Sequence, residues 1–261
     1  MAENFYLPGA APFFFQGGAT GCVLVHGFMS SPGEMRWLGQ FLHQQGLTCC
    51  GIRLTGHGTD YRHMAHVRWP EWVGDVVDAC TLLQQMCERV FIVGHSMGGL
   101  LALLAGAVLP VDGLVIMASP LLFASRWIAL SSMIKYITPF RDSTDRTHLP
   151  GLMRQEQARR GEPVLGRIRY DLWSVAGLAQ LYAASNAARA RLPDITAPTC
   201  LIYSTADQTA PYDNMQLIAS QIRSKVISQH TLHKSDHNLM LDEEKERVFQ
   251  WTWDFVRSRK A

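Results

Sequence analysis

The sequence predicts an α/β protein with a mostly parallel central sheet, helices on both faces and a helical insertion between two of the strands. Short runs that are apolar at every position alternate with longer segments that carry apolar residues at helical spacing. That is the pattern of βαβ units whose sheet is covered on both sides. The alternation stops at about residue 120 and resumes after 194, so the stretch between them leaves the sheet and returns to it. A chain of 261 residues, 48% of them hydrophobic and 18% charged, is long enough for a sizeable core.

The elements follow in order. TGCVLVHGF (20–28) is an apolar run closed by a glycine, as suits a buried strand. The segment 34–45 places Met35, Leu38, Phe41 and Leu42 at helical spacing, and LTCCGIRL (47–54) is a second strand ended by the turn-rich TGHGT. A helix is expected over 70–87, with Pro70 near its start and Trp72, Val73, Val76, Val77, Ala79 and Cys80 on its apolar face. RVFIVG (89–94), a helix over 99–108 and DGLVIMAS (112–119) continue the alternation. Residues 120–194 read as helices and loops with no buried strand, and they are expected to form a cap over a core made of 1–119 and 195–261. Strands at 197–208 and 225–232 and a final helix from about Asp242 complete the chain.

Composition excludes several classes of function. A net charge of +2 and the absence of a long basic run give no reason to expect a nucleic-acid partner. The arginines at 154, 159, 160, 167 and 169 are interleaved with Glu156, Glu162 and Asp171, as on a solvated face. No positive charge precedes Arg36, and Pro8 and Pro12 break the early apolar residues, so no secretory signal is expected. The stretch from Leu100 to Leu109 is too short to span a bilayer, and no membrane span is expected. The six cysteines lack CxxC spacing and mostly fall in apolar runs, which points to buried thiols in a reducing, cytoplasmic compartment.

Ser96 carries the chemistry. A plain helix N-cap would account for a serine before an apolar helix, but not for the glycines at 94, 98 and 99 around it. Gly-x-Ser-x-Gly between a buried strand and a helix describes a nucleophile elbow, where small neighbours let strand and helix crowd together. A serine hydroxyl needs a base, and the base needs a group to orient it. Both are expected after later strands, the acid before the histidine. Asp207 follows CLIYS, and His237 lies in KSDHNL before the last helix. An aspartate in a turn also has local hydrogen-bonding reasons to be there. Of the nearby alternatives, Asp194 precedes its strand and Asp213 enters a helix. The backbone N–H groups of Met97 and of Phe28, in the loop HGFMSSP, are the expected oxyanion donors, leaving both side chains free to line a pocket.

HGF, RLTGHGT, WVGDVVDA, VGHSMGG, ADQTAP and SDHNLMLDEEKERV together resemble the α/β-hydrolase superfamily, and within it the small bacterial carboxylesterases and monoacylglycerol lipases with a short helical cap. The resemblance covers nearly the whole chain except the cap, which matches only in length and helical character. It implies the α/β-hydrolase fold and acyl transfer from an ester to water through Ser96, His237 and Asp207, with no metal and no organic cofactor. It leaves open the natural ester and the oligomeric state, monomer or homodimer. An amidase, a carbon–carbon hydrolase or an acyltransferase would keep the same triad. A non-catalytic ligand-binding protein on this fold would have no need of His237.

Two further features have bland readings beside sharper ones. His57, His63 and His66 cluster in a polar loop without cysteines or a carboxylate cluster, so surface histidines are expected there rather than a metal site. Trp127, Leu130, Ile134 and Ile137 recur at helical spacing in the cap. Such a stripe packs a cap onto its core, or presents Trp127, Ile134 and Ile137 to the acyl chain of a substrate.

Overall fold

The structure, a computed structural model, describes residues 5–143, 148–225 and 227–259. It runs β1 (Phe13–Phe15), β2 (Thr20–Val25), α1 (Arg36–Gln44), β3 (Thr48–Gly51), α2 (Trp69–Gln84), β4 (Arg89–His95), α3 (Met97–Gly106) and β5 (Gly113–Met117). There follow α4 (Ser131–Ile134), β6 (Phe140–Asp142), α5 (Leu149–Arg159), β7 (Leu172–Ser174) and α6 (Val175–Arg191). The chain then closes with β8 (Thr199–Ser204), α7 (Asp213–Gln221), β9 (Ile227–Leu232) and α8 (Lys245–Ser258). The main sheet has the order β1-β3-β2-β4-β5-β8-β9. Every neighbouring pair is parallel except β1 with β3.

Successive strand residues point to opposite faces, and here each face meets its own apolar core. Cys22, Leu24, Phe91, Val93, Val115 and Met117 face α1 and α8. Val23, Val25, Val90, Ile92, Leu114 and Ile116 face the helices α2, α3, α6 and α7. With both faces covered there is no solvent side to make polar, which is why the central strands read as unbroken apolar runs. Because the strands are parallel, the loops after β2, β4, β8 and β9 all leave the same edge of the sheet, where a site can form.

The expected strands and helices are present with boundaries shifted by a few residues. The helix expected over 34–45 opens as a tight turn over Pro32–Met35 before α1. The helix expected over 70–87 starts one residue early, with the Glu71 carboxylate accepting the Arg68 N–H at 2.6 Å. Residue 226, part of the strand expected over 225–232, lies outside the described residues, as do 144–147 of the insertion.

Two elements differ from expectation. Strand β1 was not foreseen; its three phenylalanines are too few to show a period. Phe13 lies against Gly51 and Gly39, where any larger residue would meet its ring, and the Arg36 guanidinium stacks over the ring at 4.7 Å. The insertion also contains a two-stranded antiparallel ribbon, β6 with β7, again made of three-residue strands with no apolar run. Helix α6 packs into the sheet's core through Leu181 and Ala188, and Leu149 and Met153 of α5 join the core on the other face. Among the described residues no helix is long and apolar enough to cross a membrane.

Phe91 is fully buried in β4, with the Phe255 ring edge-on to it at 6.3 Å. Phe91→Ala should lower the unfolding free energy by about 3–5 kcal/mol, measured by denaturant titration, while the fold is retained.

Candidate active site

β4 ends at His95 and α3 begins at Met97, so Ser96 alone makes the turn. Its backbone sits at φ 53° and ψ −118°, a conformation that costs a non-glycine residue about 1–3 kcal/mol. The surroundings hold it there. The Ser96 N–H donates to the Met117 carbonyl on β5 at 2.8 Å, and its own carbonyl accepts from Gly99 and Leu100. Strand and helix approach so closely that a Cβ at Gly94 would strike the Gly98 carbonyl, one at Gly98 the Val25 carbonyl, and one at Gly99 the Ser119 hydroxyl. The Ser96 hydroxyl makes no capping hydrogen bond to α3. It lies instead 2.8 Å from His237 Nε2.

His237 sits in the loop between β9 and α8, and its Nδ1 is 2.9 Å from Asp207 Oδ2. The other Asp207 oxygen accepts the N–H groups of Thr209 at 2.7 Å and Ala210 at 2.9 Å. One carboxylate thus stabilises its own turn with one oxygen and orients the histidine with the other. Burial pushes the Asp207 carboxyl upward, but the His237 contact and the two amides outweigh it and hold the group below the ordinary carboxylate range. An ionised Asp207 only accepts, so the network assigns the hydrogen to Nδ1 and leaves Nε2 facing the serine. Of the other aspartates, Asp194 is paired with Arg191 at 2.7 Å and Asp213 lies exposed at the start of α7.

The loop after β2 reaches the same place, where a Cβ at Gly27 would lie 3.3 Å from the Ser96 Cβ. Glu34 Oε2 accepts the Gly27 N–H at 2.7 Å. Next in the chain, the Phe28 ring is set edge-on to Trp72, Trp173 and His57 at 6.1–6.2 Å. The Met97 side chain is wholly within the core. Neither side chain is therefore as free as expected, whereas the Met97 N–H, in the first turn of α3, has no acceptor within its helix.

His57, expected among surface histidines, is fully buried with its ring 5.0 Å from that of His26; His63 and His66 are exposed. Burial first, then His26, pushes the His57 imidazole well below its ordinary value. Burial likewise lowers His26 to about 4. It is neutral, with Nδ1 donating to the Gly27 carbonyl at 2.8 Å and Nε2 accepting the Leu54 N–H at 3.2 Å. Trp127 and Ile137 are 70% and 86% exposed, and Ile134 is half-buried. Most of that stripe thus faces outward, while Ile128 and Ser131 beside it are buried. A cavity of about 280 Å³ beside α1, between Trp37, Met153, Glu162, Leu165 and Ile168, is lined by none of Ser96, Asp207 and His237.

Sequence reasoning passed over Glu34, His95 and Glu244, single residues without a spacing signal. Glu244 Oε2 accepts three successive backbone N–H groups, of His233, Lys234 and Ser235, at 2.8–3.1 Å. The Ser204 hydroxyl, at the end of β8, donates to the Ser235 carbonyl at 2.5 Å. The loop that carries His237 is pinned at its base by these bonds.

A mostly parallel sheet with a strained serine at a strand–helix turn, followed by an aspartate and a histidine after later strands, defines an α/β-hydrolase. The family model described as serine aminopeptidase, S33 matches residues 19–244, and the chain belongs to that family. It is 29% identical over 257 residues to the thermostable monoacylglycerol lipase of Bacillus sp. (strain H-257), with 98% of each chain covered. It is 23% identical to the carboxylesterase of Bacillus subtilis (strain 168), covering 94% of this chain and 95% of that one. A solved structure of the metagenome-derived lipolytic enzymes LipS and LipT superposes with a TM-score of 0.86 at 27% identity, over 97% of this chain and 99% of that one. The monoacylglycerol lipase of Paleococcus ferrophilus shares the fold, with a TM-score of 0.78 at 20% identity over 96% of this chain and 99% of that one.

Burial opposes the charge on Glu244, yet its three amide donors and Arg247 hold the carboxyl at about 2. A depressed carboxyl contributes stability that is present above its unfolded value, 4.5, and is lost as pH falls toward 2. Glu244→Gln should therefore melt below the wild type at pH 7, with the gap narrowing between pH 4.5 and the acid limit of the fold, as followed by circular dichroism.

Proposed function

We propose that this chain is a serine-dependent carboxylic ester hydrolase, acting on esters of short to medium acyl chains, monoacylglycerols included. The observation that carries the reading is the unbroken line from Asp207 Oδ2 through both nitrogens of His237 to the Ser96 hydroxyl, at 2.9 and 2.8 Å. The named lipase and esterase relatives support the ester as the bond.

In this reading His237 Nε2 removes the hydroxyl proton as Ser96 Oγ attacks the ester carbonyl carbon. The carbonyl oxygen takes the negative charge and is held by the N–H groups of Phe28 and Met97, each donor contributing about 3 kcal/mol. Collapse of the tetrahedral species breaks the bond to the alcohol oxygen, which leaves with the proton carried by His237. Water, deprotonated by the same nitrogen, then hydrolyses the acyl-enzyme. Asp207 keeps the hydrogen on Nδ1 and stabilises the imidazolium formed in each half-reaction. These residues complete the reaction with no metal or organic cofactor.

Residues 120–194 act as the cap, over a core of 1–119 and 195–261. Its outward Trp127 and Ile137, with Ile134, are the candidates to meet the acyl chain. All six cysteines are free, and five are buried, which suits a reducing, cytoplasmic setting.

A fluorophosphonate probe should label the wild type, and Ser96→Ala should abolish labelling; folded wild type that does not label would favour a binding protein. Asp207→Asn should lower kcat by about 10⁴-fold with the fold intact. On p-nitrophenyl esters from acetate to palmitate, Trp127→Ala and Ile134→Ala should shift the preferred chain length; an unchanged profile removes these residues from acyl recognition. Monoacylglycerols and aryl amides in the same panel separate a lipase from an amidase.

A further inference from the structure

The loop after β2, the turn at Ser96 and the loop that carries His237 come from three different strands. One buried pair of side chains touches all three. Glu34 Oε2 accepts the Gly27 N–H at 2.7 Å and lies 3.2 Å from His95 Nδ1. On the other side of its ring, His95 Nε2 is 2.8 Å from the His237 backbone carbonyl. The two side chains are 1% and 2% exposed. From the insertion, Arg167 comes within 3.7 Å of Glu34 Oε1 and donates to the Asn238 side chain, next to His237, at 2.6 Å.

Donor and acceptor chemistry places a hydrogen on His95 Nε2, and Glu34 biases the charge of the ring. A carbonyl oxygen only accepts, so Nε2 must carry a hydrogen. Nδ1 faces a carboxylate oxygen, which also only accepts, and a bare Nδ1 would aim its lone pair at that negative charge. With Glu34 ionised beside it, His95 is driven toward its imidazolium form. Its Nδ1 contact is a close ion pair rather than a well-aligned hydrogen bond. The charged groups around it are Glu34, Arg167 and Asp207, with the His237 ring 5.1 Å away and neutral His26 behind. Burial works against the cation, but the Glu34 charge outweighs it and holds His95 above its ordinary value. Burial likewise opposes the anion, while His95, Arg167 and the Gly27 N–H keep Glu34 ionised.

A buried ion pair is a weak device for stability, because desolvation cancels most of its Coulombic gain. Its use here is geometric. We propose that the Glu34–His95 ion pair is a positioning unit, which clamps the Gly27 end of the oxyanion loop to the backbone of His237 and so sets the base at its distance from the oxyanion donors. The proposal rests on the ester-hydrolase reading. Neither side chain need touch substrate; both act through groups that do.

The test measures kcat, KM and melting temperature on p-nitrophenyl butyrate, with fluorophosphonate labelling of Ser96 as a separate readout. His95→Leu should lower kcat by about 100-fold and leave KM within about threefold, since the displaced groups matter only once charge develops on the carbonyl oxygen. His95→Gln, whose amide can still donate to the His237 carbonyl, should recover roughly tenfold of that loss. Adding Glu34→Gln to His95→Leu should cost no more than about threefold further, because the two act as one unit. Three results would overturn the proposal: kcat near the wild-type value in His95→Leu, a loss matched by KM or by the folded fraction, or fully additive losses in the double variant. Should His95→Leu not fold, Glu34→Gln decides alone. It keeps an acceptor for Gly27 but loses the charge, so kcat should fall roughly tenfold, and an unchanged kcat overturns the proposal. A folded wild type that neither labels nor turns over would instead defeat the hydrolase reading itself.

Discussion

Ser96 holds a left-handed backbone between β4 and α3, and much of the structure is arranged to keep it there. A strained residue persists only where its surroundings over-determine it. Here β5 supplies an acceptor for its N–H, and the first turn of α3 bonds to its carbonyl. Glycines at 94, 98 and 99 let strand and helix close to a separation that no side chain would allow. The result lifts one hydroxyl clear of the helix it would otherwise cap and delivers it to the edge where His237 stands.

Around that hydroxyl, His26 and His95 are both almost wholly buried, yet their partners push their charge in opposite directions. His26 has one acceptor and one donor beside it and is neutral. His95 has an acceptor on each side, one of them a carboxylate, and is pushed toward the cation. His237 sits between a carboxylate and a hydroxyl that can itself give up a proton. Burial disfavours the charged form at the first two sites, and the partner decides whether it prevails. A site that must move a proton at one ring and leave its neighbours unchanged is well served by this division.

Much of the fold was legible in the sequence because its signals are local and repeated. Buried parallel strands are apolar at every position, as VLV, FIV and LVIM show, and helices such as 70–87 carry their face at regular spacing. The serine announced itself through three glycines and its place between such elements, and Asp207 and His237 through their positions after later strands. β1 and the β6–β7 ribbon are three-residue strands, shorter than any period. Glu34, His95 and Glu244 act through partners distant in the chain, such as the Gly27 amide or the His237 carbonyl, and nothing in their neighbours marks that. Trp127 and Ile137 recur at helical spacing, but spacing cannot say whether such residues face core or solvent, and here both are exposed.

The central claim is that Ser96, the Phe28 and Met97 amides and His237 converge on one reacting carbonyl. A crystal structure of the wild type after reaction with an alkyl fluorophosphonate tests it most directly, because the phosphoryl group mimics the tetrahedral intermediate. The account predicts phosphorus bonded to Ser96 Oγ, with the phosphoryl oxygen about 2.7–3.1 Å from both the Phe28 and Met97 nitrogens. Phosphorus on another residue, or a phosphoryl oxygen turned away from both amides, would contradict it.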